Sequence, residues 1–88
     1  MNIAGVIVDA LPGHEQGVRR QLLSMPGVEV HGVADGRRLI VTVEGKDAGS
    51  LADALTDFHN MPGVISATMV YHHFEEDEEV ISDETEQA

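Results

Sequence analysis

Hydrophobic and polar residues along this chain fall into six short segments with two periods. Residues 3–8, Ile-Ala-Gly-Val-Ile-Val, are continuously apolar, which suits a central strand in contact on both faces. Over residues 12–24, Val18, Leu22 and then Met25 recur at helical spacing and predict one buried helix face. Residues 28–34 alternate again, with Val28 and Val30 against Glu29 and His31. Residues 38–44 do the same around Leu39, Val41 and Val43. A second helix is expected over residues 48–60 from Leu51, Ala54, Leu55 and Phe58, and a last strand over residues 64–74.

Punctuation agrees with the periods. Pro12 suits the first turn of helix one, because its missing N–H is not needed there. Asp35-Gly36 is a strong hairpin signal between strands two and three. Asp47 suits the N-cap of helix two. Met-Pro-Gly-Val occurs twice, at residues 25–28 and 61–64, each time ending a helix and opening a strand. The chain thus reads as a duplicated strand–helix–strand. Right-handed crossovers turn βαββαβ into a four-stranded antiparallel sheet of order 4-1-3-2 with both helices on one face. This is the ferredoxin-like fold, of class α+β.

Alternation assigns the strand residues to faces. Ala4, Val6, Val8, Val28, Val30, Leu39, Val41, Val43, Ile65, Ala67, Met69 and Tyr71 are expected on the helix side. Ile3, Gly5, Ile7, His31, Val33, Ile40, Thr42, Ser66, Thr68, Val70 and His72 are expected on the open side. The open face then has an apolar centre of Ile7, Ile40 and Val70, with Asp9, Glu29 and Glu44 at its margins. Small residues such as Gly5, Ser66 and Thr68 leave room for a partner to approach. An exposed apolar patch with a polar rim marks an interaction site, for a second copy or for another partner, against the plain alternative of scattered surface apolar residues.

Charge changes the picture in one place. The net charge is −11, but eight of the 16 acids lie in residues 75–88. The run Glu75-Glu76-Asp77-Glu78-Glu79 repels itself and has little to bury, so the reading is a domain over 1–74 and a disordered acidic tail over 75–88. With no basic stripe and few aromatics, nucleic acid is not an expected partner. The absence of cysteine excludes disulfides and thiolate chemistry. No basic leader precedes the first apolar run and no run is long enough to span a bilayer, so a soluble cytoplasmic protein without membrane contact is expected.

Catalytic and cofactor motifs are missing. No serine has a nucleophile-elbow context, and no glycine-rich phosphate loop occurs. His72-His73 suggests a metal, but adjacent strand residues point to opposite faces and cannot readily share an ion. Arg19-Arg20 and Arg37-Arg38 read as solvated surface charge. An enzyme, a metal site and a cofactor are therefore not expected. Other occupants of this fold also lack support. Metal carriers need Cys-x-x-Cys, and acylphosphatase-like enzymes need an arginine in the loop after strand one, where Leu11-Pro12-Gly13-His14 has none. A small-ligand-binding or dimerising regulatory module, like the amino-acid sensors, stays open as the alternative.

Four stretches carry a closer likeness. They are Ile3-Ala4-Gly5-Val6-Ile7-Val8-Asp9-Ala10, Pro26-Gly27-Val28-Glu29-Val30-His31, Gly36-Arg37-Arg38-Leu39-Ile40-Val41-Thr42-Val43-Glu44 and Gly63-Val64-Ile65-Ser66-Ala67-Thr68-Met69-Val70-Tyr71-His72-His73. Together they resemble the NapD family over residues 2 to about 76, most specifically in the Met-Val-Tyr-His stretch before an acidic tail. The resemblance implies a cytoplasmic, mostly monomeric assembly chaperone of the periplasmic nitrate reductase. Such proteins bind the twin-arginine signal peptide of the catalytic subunit's precursor and hold it back from the Tat translocase during cofactor insertion. The peptide is taken as a helix on the open sheet face. On that basis Ile7, Ile40, Thr42, Thr68 and Val70 are expected under the peptide's apolar side, and Asp9, Glu29 and Glu44 are candidates for its arginines.

Overall fold

The computed structural model describes residues 2–74, so the acidic tail over 75–88 lies outside the described residues. The elements run β1 (Asn2–Ala10), α1 (Glu15–Leu23), β2 (Val28–Ala34), β3 (Arg38–Gly45), α2 (Ala48–His59) and β4 (Val64–Phe74). The sheet order is β2-β3-β1-β4 with every neighbouring pair antiparallel, which is the expected 4-1-3-2 arrangement. Ala4, Val6 and Val8 of β1 and Leu39, Val41 and Val43 of β3 pack under the helices, and Val18, Leu22, Leu51 and Phe58 close the core from above. These are the residues whose spacing marks the buried faces.

All three prolines precede glycine, and all three pairs make the same turn. His14 donates its N–H to the Leu11 carbonyl at 2.9 Å, Val28 to Met25 at 3.4 Å and Val64 to Met61 at 3.2 Å. Gly13, Gly27 and Gly63 each hold a positive φ of 77–89°. Proline followed by a glycine at positive φ is the type II signature. Pro12 therefore sits in a turn before α1 and not at its first position. The left-handed Gly13 keeps the helix from starting until Glu15, three residues later than the pattern predicts. Asp35 and Gly36 both have positive φ, 56° and 78°, so the hairpin is a type I′ turn as its Asp-Gly pair requires.

β4 is an edge strand, and it is blunted. The sheet register slips twice along it, at Ile65 and at Val70, where an extra residue bulges out of the ladder. Between the bulges the His59 ring reaches from the end of α2 to within 2.7 Å of the Ala67 carbonyl. That contact occupies a backbone group otherwise available to another strand.

α2 starts on Asp47, whose carboxylate accepts the Ser50 N–H at 2.8 Å and the Ser50 hydroxyl at 3.0 Å. These bonds, first the one from the backbone, hold its pKa below the ordinary aspartate value. A carboxyl with a lowered folded pKa stabilises the fold above its unfolded value and loses that contribution as pH falls through the folded one. Asp47→Ala should thus lower the thermal midpoint at pH 7. The gap from the parent should close as pH falls through the lowered pKa, which calorimetry at a series of pH values checks.

Candidate functional site

Register fixes what each strand places on the uncovered face, because residues directly opposite in an antiparallel pair point the same way. Four rows cross the sheet. Glu44 of β3, Ile3 of β1 and His73 of β4 form the first. Glu29, Thr42, Gly5 and Tyr71 form the second, and Gly32, Ile40, Ile7 and Thr68 the third. Ala34, Arg38, Asp9 and Ser66 form the fourth. Ile7, Ile40, Thr42 and Thr68 thus share the middle of one face, with Glu29 and Glu44 at one end of it. Ile40 is 40% exposed and Ile7 half-buried, so an apolar strip lies open across the two central strands.

The bulges overturn part of the face assignment made from alternation. Val70 is the extra residue between Met69, opposite Val6, and Tyr71, opposite Gly5. The phase of β4 reverses there: Tyr71 belongs to the open face and His72 to the helix side, the opposite of what strict alternation gives. His72 lies opposite Ala4, its ring 2.8 Å from the oxygen of the buried Asn2 side chain. Ile65 bulges at the start of β4, so it is exposed and Val64 packs on the core in its stead. His31 bulges from β2, which turns Gly32 to the open face and sets Val33 opposite Leu39 on the helix side. Val33 is still 44% exposed, at the hairpin end of an edge strand.

Gly5 does not leave room for a partner. A methyl group built there would collide with the Tyr71 ring, which lies directly over the glycine. The ring fills the shallow site and is itself half-exposed. Tyr71 is therefore part of the uncovered apolar surface, and alternation had hidden it under the helices.

The acidic margin is less uniform than its composition. Arg37 donates to the Asp9 carboxylate at 3.1 Å, and Asp9 is the more enclosed partner. The Asp9 charge is neutralised from within the chain, and Arg37 is not simply a solvated cation. Arg38 lies 3.6 Å from Asp35. Glu29 is exposed, with the His31 ring 3.7 Å away, and that ring sits 2.7 Å from the Thr42 hydroxyl. Glu44 is exposed and makes no ion pair with a described residue.

Among the described residues no group of three or more histidine, aspartate or glutamate side chains is placed to hold a metal ion. No described helix is long and apolar enough to cross a membrane.

Sheet order and helix placement define the class: a ferredoxin-like βαββαβ domain with one sheet face that no other described element covers. The family model for NapD protein matches residues 1–76, and the chain belongs to the NapD family. Chaperone NapD of Escherichia coli K12 is 33% identical over 76 residues, spanning 84% of this chain and 86% of the relative. Chaperone NapD of Paracoccus pantotrophus is 31% identical over 71 residues, 81% of this chain but only 62% of that longer protein. These relatives bear the name of a chaperone, a non-enzymatic role. The solution structure of the E. coli Tat proofreading chaperone protein NapD superposes with a TM-score of 0.71 at 31% identity, covering 98% of this chain and 87% of that one. A hypothetical protein from Pyrococcus horikoshii superposes at 0.76 with 26% identity, covering 88% of this chain and 94% of its own. The backbone alone therefore does not separate the family from other proteins of this fold; the sequence match does.

The chain has one tyrosine and no tryptophan, so its intrinsic fluorescence reports on Tyr71 alone. Gly5→Ala should push the ring off the sheet and make Tyr71 emission more accessible to acrylamide quenching. Unchanged quenching would mean that the ring does not rest on Gly5.

Proposed function

We propose that this protein is an assembly chaperone of the periplasmic nitrate reductase. It binds the twin-arginine signal peptide of the catalytic subunit's precursor in the cytoplasm and delays Tat export until cofactor insertion is complete. Family membership supports the reading, and so does the name Tat proofreading chaperone borne by a relative of solved structure. The observation that carries it is the open face itself. A strip of Ile3, Ile7 and Ile40 with the Tyr71 ring beside it suits the apolar side of a helical peptide, and Glu29 and Glu44 suit its arginines.

In this reading Ile7, Ile40, Thr42 and Thr68 lie beneath the peptide and Tyr71 joins them. Val70, on the bulge beside Tyr71, borders the strip. Asp9 leaves the set of arginine contacts, because Arg37 already holds its carboxylate. The remaining acids are exposed, so each ion pair adds modestly and mainly steers the encounter.

Titration calorimetry against a synthetic twin-arginine signal peptide tests this, beside the same peptide with both arginines changed to alanine. The parent peptide should bind. The alanine peptide should bind about tenfold more weakly, since each of two exposed ion pairs contributes ~0.7 kcal/mol. Added salt should narrow that gap. Ile40→Asp should abolish binding while leaving the fold intact, because Ile40 does not enter the core. A folded Ile40→Asp variant that binds normally would remove the open face from the account. No binding by the parent, together with a stable dimer in sedimentation, would favour a dimerising regulatory module.

A further inference from the structure

The uncovered face is not equivalent at its two ends. Glu44 and Glu29 occupy the first two rows, at the end where β1 begins. The fourth row, where β1 ends, holds Arg38 and the Asp9–Arg37 pair, with Asp35 beside Arg38. One end therefore presents two exposed acids with His31 and His73 nearby, and the other presents arginines whose acids are already engaged. Between them runs the strip of Ile3, Ile7 and Ile40.

We propose that this charge gradient sets the direction of the bound peptide, a conclusion that rests on the function proposed above. The occupant is a helix with two arginines near its N-terminus followed by an apolar stretch. Its arginines lie over Glu29 and Glu44, and its apolar stretch runs along Ile7 and Ile40 toward Arg38. The helix dipole adds to this, because the partial negative charge of a helix C-terminus favours a nearby cation such as Arg38. Reversal would bring the peptide arginines against Arg38 and leave both glutamates beside a helix C-terminus.

Length agrees with charge. From Ile3 to Asp9 the strand advances about 20 Å, at about 3.3 Å per residue. A helix rises about 1.5 Å per residue, so roughly 13 peptide residues cover the face from end to end. That accommodates an arginine pair and about three turns of apolar helix.

Paramagnetic broadening of backbone amides in the full-length protein separates direction from binding. The probe is a synthetic twin-arginine signal peptide carrying a nitroxide at its N-terminus or, in a second sample, at its C-terminus. The N-terminal label should broaden Ile3, Glu44 and His73, and the C-terminal label should broaden Ala34, Arg38 and Ser66. The double variant Glu29→Gln, Glu44→Gln should weaken the parent peptide about tenfold and the alanine-substituted peptide little. Broadening with the ends exchanged, or equal at both ends, would overturn the direction and leave peptide binding on this face intact. Broadening of helix residues in place of the sheet face, or no binding, would overturn the binding reading and the direction with it.

Discussion

The register between β1 and β3 decides the rest of the molecule. Ile7 stands opposite Ile40 and Val6 opposite Val41, so two valines enter the core and two isoleucines stay outside. A slip of β3 by one residue against β1 would turn β3 over, exposing Leu39, Val41 and Val43 and burying charged Arg38 and Glu44 under the helices. Each fully buried aliphatic side chain stabilises the fold by about 1.5–3 kcal/mol, so the competing register is strongly disfavoured. The open apolar face follows from the same arrangement. It is the other side of two strands whose first side the core needs.

Much of this was legible in the sequence, and what was not has a common cause. The helices, the hairpin, the two repeated turns and the strand order all follow from local spacing and from residues with restricted or permissive backbones. The core positions of β1 and β3 follow too, because neither strand contains a bulge relative to the other. Errors cluster in the edge strands β2 and β4, at Val33, Ile65, Tyr71 and His72. A bulge adds one residue to one strand, and a period-two pattern has no mark for it. Gly5 opposite an aromatic was the one available signal. A glycine in a central strand often means close approach by another group, and here that group is Tyr71. The Asp9–Arg37 pair was hidden for a different reason. Its members stand 28 residues apart and meet only once β1 and the β2–β3 hairpin are in register.

An open apolar face on a small domain also carries an association hazard, and the edge of the sheet shows how it is limited. β4 is 11 residues long and, among the described residues, unpaired on its outer side. Two bulges interrupt its flat edge, and the His59 ring occupies the Ala67 carbonyl between them. Strand addition is thereby obstructed without altering the face beside it. The apolar strip suits a partner that lies on the sheet face along the strands, which is the geometry of a helix on a face and not of a strand on an edge.

The duplication explains why direction needed a device at all. Exchanging the two halves of the chain converts β2-β3-β1-β4 into its own reverse, so the sheet has an approximate twofold relation between its ends. Glu44 near the end of β3 corresponds to Asp9 near the end of β1, and Glu29 at the start of β2 corresponds to Ile65 and Ser66 at the start of β4. A symmetric face would attract the basic end of a peptide equally at either end. Two differences remove that equivalence. Arg37 neutralises Asp9, and the start of β4 carries no acid where β2 carries Glu29. The folding requirement is met by both halves alike, through the shared turns and core spacing. In the proposed orientation, direction is carried by Arg37 and Glu29, two of the positions at which the halves differ, and neither is in the core.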